Sequence, residues 1–271
     1  MKTLAISLQR SKERRSYITQ HLAEGDIDFE IIDAIDGAKL TEHEVELYCD
    51  VQKVKELGWW LTPGAIGCAL SHLKAYRILV KNDLPYAFIV EDDVILPSNI
   101  KQILENIANN LKQSEIILLY YASFGDCKLS SIGSEEISNQ KLCYPMNIEQ
   151  TITASAYIIT NEAARNMIDS ILPISVTADS WHYFYRKNAF SSFRCLFPLA
   201  IKTKHFKSSI DYIPADSLKA KIAILIDRYK IPPAFQLLKL IRKHRANRMN
   251  KRFTLTQESS PIYQALISKK N

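Results

Sequence analysis

Ala87-Phe88-Ile89-Val90 leads without a break into Glu91-Asp92-Asp93, and apolar residues resume at Val94. The apolar run reads as a buried strand, so three adjacent carboxylates stand at its end. Such neighbours repel each other, and beside an apolar strand they must take up protons or cost stability. A divalent cation removes the conflict. Hard oxygen ligands favour Mg²⁺ or Mn²⁺, which keep positions open for substrate phosphates. A solvated acidic turn is the other reading, and spacing alone leaves both open. Ser71 and His72 are adjacent on a helical segment, where side chains diverge by about 100° at 3.6 residues per turn, which argues against a nucleophile–base pair. The five cysteines, Cys49, Cys68, Cys127, Cys143 and Cys195, form no C-x-x-C pair. Neither a zinc cluster nor a disulfide framework is indicated, and buried free thiols in a reducing compartment fit better.

The elements that position these residues are legible from periodicity. Lys2 to Leu8 alternates as a strand does, and Ser11 stands where it can cap a helix from Lys12 to about Glu24. Asp28 to Asp33 reads as a second strand, closed by Asp36-Gly37. Thr41 can cap a helix running through about Leu57. Thr62-Pro63, a cap followed by proline at the first helical position, predicts a helix to about Lys81. The strand before the carboxylates follows. A helix is predicted over residues 98–112, a strand over 115–122, another over 151–160, and a helix from Asn161 to about Ile171. Alternating strands and helices predict an α/β sandwich with a largely parallel central sheet. In such sheets ligands bind beyond the carboxyl ends of the strands, where Glu91-Asp92-Asp93 falls.

With 271 residues, 47% of them hydrophobic, core-building is not limiting, and only 7 glycines argue against loosely tethered domains. "MKTLAISLQRSKERR" lacks the charge order and apolar length of a signal peptide. No apolar run approaches the roughly 20 residues of a membrane span. A cytoplasmic protein, soluble or peripheral, is expected.

"LTPGAIGCALSHLKAYRILV" followed by "LPYAFIVEDDVIL" resembles glycosyltransferase family 25, which includes bacterial lipooligosaccharide and collagen galactosyltransferases. The family pairs a Gly-x-x-Gly-Cys-x-x-Ser-His helix with an acidic triplet after a strand. Here the helix motif runs from Gly64 to His72, with Ala65 in place of the commoner Glu. "ISLQRSKERR" resembles its opening strand and Arg-rich helix start, with Ser7 where Asn is usual. "FEIIDAIDG", "SAYIITNEAARNMI", "PISVTADSW" and Ser208-Ser209-Ile210 resemble later segments in the same order. The resemblance covers residues 2 to 212.

It implies a GT-A-type nucleotide-binding sandwich, a UDP-sugar donor, most often carrying galactose or glucose, and Mn²⁺ (or Mg²⁺). Asp93 is the expected metal ligand, with His205 a second. Asp92 is expected at the ribose and Glu91 near the metal or donor sugar. Leu8, Arg10 and Arg14, after the first strand, are candidates for donor binding, since a guanidinium can pair with phosphate or stack on uracil. Ser71 and His72 are further donor-site candidates. Transfer from a UDP-α-hexose to a β product inverts the anomeric carbon and needs a base for the acceptor hydroxyl. Asp179 is the candidate, with a helix N-cap as its alternative role. Trp181 offers a face for an acceptor sugar. Trp59 and Trp60 suit either an acceptor cleft or core packing.

From Leu218 to Phe253, eleven Lys/Arg face one acid, Asp227, although the net charge of the whole chain is only +6. The expected division is a glycosyltransferase domain over 1–214 and a basic, mostly helical extension over 215–271. Apolar residues at helical spacing among the bases (Phe235, Leu238 and Ile241, or Leu237, Leu240 and Ile241) suit an anionic membrane surface. A solvated helix packed on the domain is the alternative, and nucleic acid is not the expected partner. The function these features point to is inverting hexose transfer to a lipooligosaccharide at the inner face of the inner membrane. A protein or capsule glycan acceptor, or a degenerate membrane-binding module, are the alternatives.

Overall fold

Strand β1 (Lys2–Ser7) is buried almost throughout because it lies between two parallel partners, β2 (Phe29–Asp33) and β3 (Tyr86–Glu91). Its alternation sorts the core into two layers. Leu4 and Ile6 face one apolar cluster and Ala5 the other. In the computed structural model, residues 1–123, 125–204, 206, 222, 225–226, 229–249 and 252–268 are described.

Between β1 and β3 run α1 (Lys12–Glu24), α2 (Glu42–Tyr48), α3 (Val51–Glu56) and α4 (Pro63–Lys81). The two-residue β4 (Val94–Ile95), α5 (Ile100–Ala108), β5 (Glu115–Ala122), β6 (Cys127–Ile137), β7 (Gln140–Pro145) and β8 (Ile152–Thr160) follow. Then come α6 (Asn161–Ile171), α7 (Trp181–Arg186), β9 (Ser192–Phe197), β10 (Lys202–Thr203), α8 (Ala234–Met249), β11 (Phe253–Thr256) and α9 (Pro261–Ser268). Among the described residues nine strands form one sheet in the order β11-β6-β7-β9-β5-β8-β3-β1-β2. Only β8 and β7 run against the rest, so the sheet is largely parallel, as expected. Residues of α4 and α6 cover one face, and those of α1 and α5 the other.

Helix α4 starts where Thr62-Pro63 predicts, with the Thr62 hydroxyl accepting from the Ala65 N–H at 3.2 Å. The single helix expected from Thr41 is two. Cys49 bridges to Ile174, and the Asp50 N–H donates to the Ile174 carbonyl at 3.0 Å. That pairing withdraws the backbone from the helix, and Asp50 caps α3 in its place. Ser11 precedes α1 but makes no side-chain cap. The largest difference concerns the C-terminal region. Strand β11 pairs in parallel with β6, and Phe253 and Ile262 are buried, so this part of the expected extension completes the central sheet. Of the basic segment, residues 218–221, 223–224, 227–228 and 250–251 lie outside the described residues, as do His205 and Ser208-Ser209-Ile210.

The loop after β2 presses against the start of α4. A Cβ on Gly67 would sit 2.6 Å from both the Gly37 nitrogen and the Ile35 carbonyl oxygen, and one on Gly37 would sit 1.7 Å from the Pro63 oxygen. These are backbone atoms that cannot yield as a side-chain tip does. Gly67→Ala is therefore expected to cost about 1–3 kcal/mol or more, read as a fall in urea midpoint. Gly125→Ala, whose Cβ meets nothing within 4 Å, should stay within about 0.5 kcal/mol. Equal midpoints for the two variants would contradict this packing.

Candidate active site

The carboxyl ends of β1 and β3 open onto a cavity of about 390 Å³. Leu8, Arg10, Arg14, Asp36, Cys68, Ser71, Glu91, Asp92, Asp93 and Phe206 are among its lining residues. The acidic triplet turns the chain from β3 into β4, and β10 pairs antiparallel with β4. The Lys204 N–H donates to the Asp93 carbonyl at 2.6 Å. Lys204 and Phe206, which flank His205 in sequence, thus both reach the site.

Each acid has a different environment. Asp92 is buried: Oδ2 accepts from the Ser7 hydroxyl at 2.7 Å and Oδ1 from Arg14 Nε at 2.6 Å. Burial pushes its carboxyl up, and Arg14 and Ser7 offset part of that. With both oxygens engaged, Asp92 anchors Arg14, whose guanidinium carbon also lies 5.5 Å from the Phe206 ring centroid. Glu91 Oε2 accepts from the Ser155 hydroxyl at 2.9 Å. Burial pushes Glu91 up, but His72, Ser155 and Arg14 outweigh it and hold the carboxyl below its ordinary range. Asp93 has the least compensation. Among the described residues its buried Oδ1 has no hydrogen-bond partner, and Arg14 lies 3.5 Å from Oδ2. Burial, then the charge of Glu91, push the Asp93 carboxyl up to about 7.

Arg10 reaches the cavity wall through a two-pronged contact with Asp36, at 2.7 and 3.3 Å. The Ser71 hydroxyl donates to the Gly67 carbonyl at 2.6 Å and accepts from the Ile35 N–H at 2.8 Å. It ties the β2 loop to α4 at the glycine contact. His72 corrects the expectation of a donor contact. It is wholly buried behind Glu91, with Nδ1 2.8 Å from the Tyr157 hydroxyl.

Asp179 is not an N-cap by its side chain. Its oxygens accept from the Thr153 N–H at 3.0 Å and the Thr177 hydroxyl at 2.6 Å. It stands outside the cavity wall, close enough for its charge, after burial and Glu91, to help push the Cys68 thiol up. The expectation that Trp181 stacks on a sugar is corrected. Trp181 is fully buried, packs on Tyr157 and Phe193, and donates its indole N–H to the Thr153 carbonyl at 3.0 Å. Trp60 is half-buried beside Trp59, which is 64% exposed, and the cavity-lining Thr62 follows closely in sequence.

Sequence reasoning passed over Asp36, Ser155 and Thr153 as site residues. Asp36 was visible only as a turn residue. The Ser155 hydroxyl meets Glu91, whereas Thr153 meets Asp179 through its backbone N–H, and both pairings depend on strand order.

The model of glycosyltransferase family 25 (LPS biosynthesis protein) matches residues 1–182. The chain belongs to glycosyltransferase family 25. A putative glycosyltransferase of Haemophilus influenzae is 29% identical over 177 residues, 65% of this chain and 60% of that protein. The lipooligosaccharide biosynthesis protein lic2B of Haemophilus influenzae is 28% identical, over 60% of each chain. Human procollagen galactosyltransferase 2 is 23% identical over 77% of this chain and 36% of its own length. The alignments thus span about 60% of the two bacterial relatives and about a third of the human one. Some family members carry names that mark them as inactive.

The Asp93 environment has a thermodynamic consequence. With a folded pKa of about 7 against an ordinary 3.8, folded Asp93 keeps a proton that the unfolded chain releases. Stability from this group is fully present below the unfolded value and is lost as pH rises through the folded one. In chelator, Asp93→Asn should therefore stabilise the protein at pH 8 by about 1–4 kcal/mol and change little near pH 4. Thermal unfolding at both values checks it, and equal shifts at the two would contradict it.

Proposed function

We propose that this chain transfers a hexose, with galactose the first choice, from a UDP-sugar to a lipooligosaccharide acceptor with inversion at the anomeric carbon. The observation that carries the reading is a buried Asp93 oxygen, without a hydrogen-bond partner among the described residues, on the wall of a cavity that Arg10 and Arg14 also line. A carboxylate oxygen without donor or cation is costly at such a place. It fits a divalent ion, Mn²⁺ or Mg²⁺, with Asp93 as ligand, Glu91 close by and His205 as the further ligand expected from sequence. When bound, that ion neutralises charge on the departing pyrophosphate.

The parallel β2-β1-β3 part of the sheet, with the acids at its carboxyl end, supports a GT-A-type arrangement. Arg10 and Arg14 offer guanidinium groups to the donor's phosphates or uracil, and Leu8 an apolar contact. Asp36 and Asp92 hold the two arginines in place. Asp179 is assigned as the base. It takes the proton of the acceptor hydroxyl as that oxygen bonds the anomeric carbon and the bond from that carbon to UDP breaks. The Thr153 and Thr177 contacts fix its carboxylate while leaving lone pairs for the proton. Trp59 and Trp60 are the aromatic faces available to an acceptor sugar.

The name of lic2B supports a lipooligosaccharide acceptor, and that of procollagen galactosyltransferase 2 keeps a protein glycan as the second acceptor class. The exposed Leu237, Leu240 and Ile241 beside Lys239 support contact with an anionic membrane, consistent with a lipid-linked acceptor at the inner face of the inner membrane. Among the described residues no helix is long and apolar enough to cross a membrane.

UDP release from UDP-galactose, with truncated lipooligosaccharide as acceptor and Mn²⁺ present, tests the proposal. Asp93→Asn should lower kcat/KM by about 100-fold or more while remaining folded. Asp179→Asn should lower kcat by about 10²–10⁴-fold. Full activity in folded Asp93→Asn would refute the metal-dependent reading.

A further inference from the structure

At the cavity wall and just behind it, three groups that no step of the proposed transfer uses as ligands converge. Cys68 and His72 are four residues apart on α4, so they share a helix face. That face meets the end of β3, where Glu91 Oε1 lies 3.8 Å from Cys68 Sγ and 3.7 Å from His72 Nε2. All three ligand atoms lie within 4.8 Å of one another. A tetrahedral ion with bonds of 2.0–2.3 Å separates its ligands by about 3.3–3.8 Å, so little movement is needed to close on one.

An independent feature points the same way. His72 is wholly buried, yet among the described residues its Nε2 has no hydrogen-bond partner. Its separation from Glu91 is beyond hydrogen-bond reach. Nδ1 is held by the Tyr157 hydroxyl, which in turn lies 2.8 Å from the Tyr76 hydroxyl. A chain of this kind fixes the ring, and with Nδ1 as donor it turns the Nε2 lone pair toward Cys68 and Glu91, as outer partners do for metal-bound histidines. Cys68 and Glu91 also line the cavity, which gives an ion a way in and leaves a fourth position for water.

We propose that Cys68 Sγ, His72 Nε2 and Glu91 Oε1 form a second cation site, selective for a thiophilic ion such as Zn²⁺ and distinct from the Mn²⁺ position at Asp93. Thiolate and imidazole ligands favour zinc over magnesium or manganese, whereas the all-oxygen setting of Asp93 favours the reverse. Binding releases the thiol proton, since the coordinated sulfur is a thiolate. The sequence gives no hint of this through C-x-x-C spacing, because the third ligand comes from a strand end.

The test uses the full chain with metal alone and no donor, so its outcome is separate from that of the transfer reaction. Zn²⁺ should bind one ion per chain in competition with a chromophoric chelator. Co²⁺ should give a thiolate-to-metal charge-transfer band. Cys68→Ser should abolish the band and weaken Zn²⁺ binding by at least about 100-fold. His72→Gln should weaken it comparably, and Asp93→Asn should retain both band and affinity. Circular dichroism establishes that each variant is folded. If Cys68→Ser does not fold, the wild-type cobalt spectrum with His72→Gln decides. A wild-type protein with no charge-transfer band, or binding that survives in Cys68→Ser and is lost in Asp93→Asn, overturns the site.

Discussion

Three negative charges at the end of one strand are the constraint to which the rest of the site answers. Two are compensated from within the fold. Asp92 is met by Ser7 and Arg14, brought from β1 and α1, and Glu91 by Ser155 on β8 with His72 behind it. Asp93 has Arg14 at 3.5 Å from Oδ2 and a backbone N–H, which offset less than burial and Glu91 cost it, and among the described residues its buried Oδ1 has no hydrogen-bond partner. The asymmetry marks where an external cation would do most. Evenly solvated acids would give no such preference, and a triplet fully paired internally would have nothing left to offer a ligand.

The scaffold is organised so that these partners arrive together. Strand β1 lies between β2 and β3 in parallel, so Ser7 and Glu91 reach the same edge of the sheet. The loop after β2 is pressed onto α4 through Gly37 and Gly67, and Ser71 bonds both segments, which fixes the wall on which Asp36 holds Arg10. On the far side, β8 runs antiparallel to β3 and brings the Thr153 backbone N–H to Asp179 and the Ser155 hydroxyl to Glu91. Precision at the cavity thus comes from backbone contacts and strand order more than from loop conformation.

Much of the candidate site was legible because its signals are local. Thr62-Pro63 defines the start of α4, the apolar run defines β3, and the triplet follows it directly. What failed depends on distant partners. The helix expected from Thr41 breaks at Cys49 because Ile174, far along the chain, pairs with it there. Trp181 looked available for stacking, yet Tyr157 and Phe193 enclose it. His72 looked like a cavity residue, but the strand order buries it. Phe253–Thr256 falls in the stretch whose composition predicts a basic helical extension. A short segment carries little periodicity of its own, and its strand character comes from the open edge of β6.

The central claim is that the charge at the end of β3 is completed by a divalent ion shared with a nucleotide pyrophosphate. The most direct measurement is the anomalous scattering of manganese in crystals grown with Mn²⁺ and UDP. The account predicts a single strong peak at coordination distance, about 2.0–2.3 Å, from an Asp93 carboxylate oxygen and bridging both phosphates. A nucleotide bound with no peak beside Asp93, its carboxylate facing solvent, would contradict it.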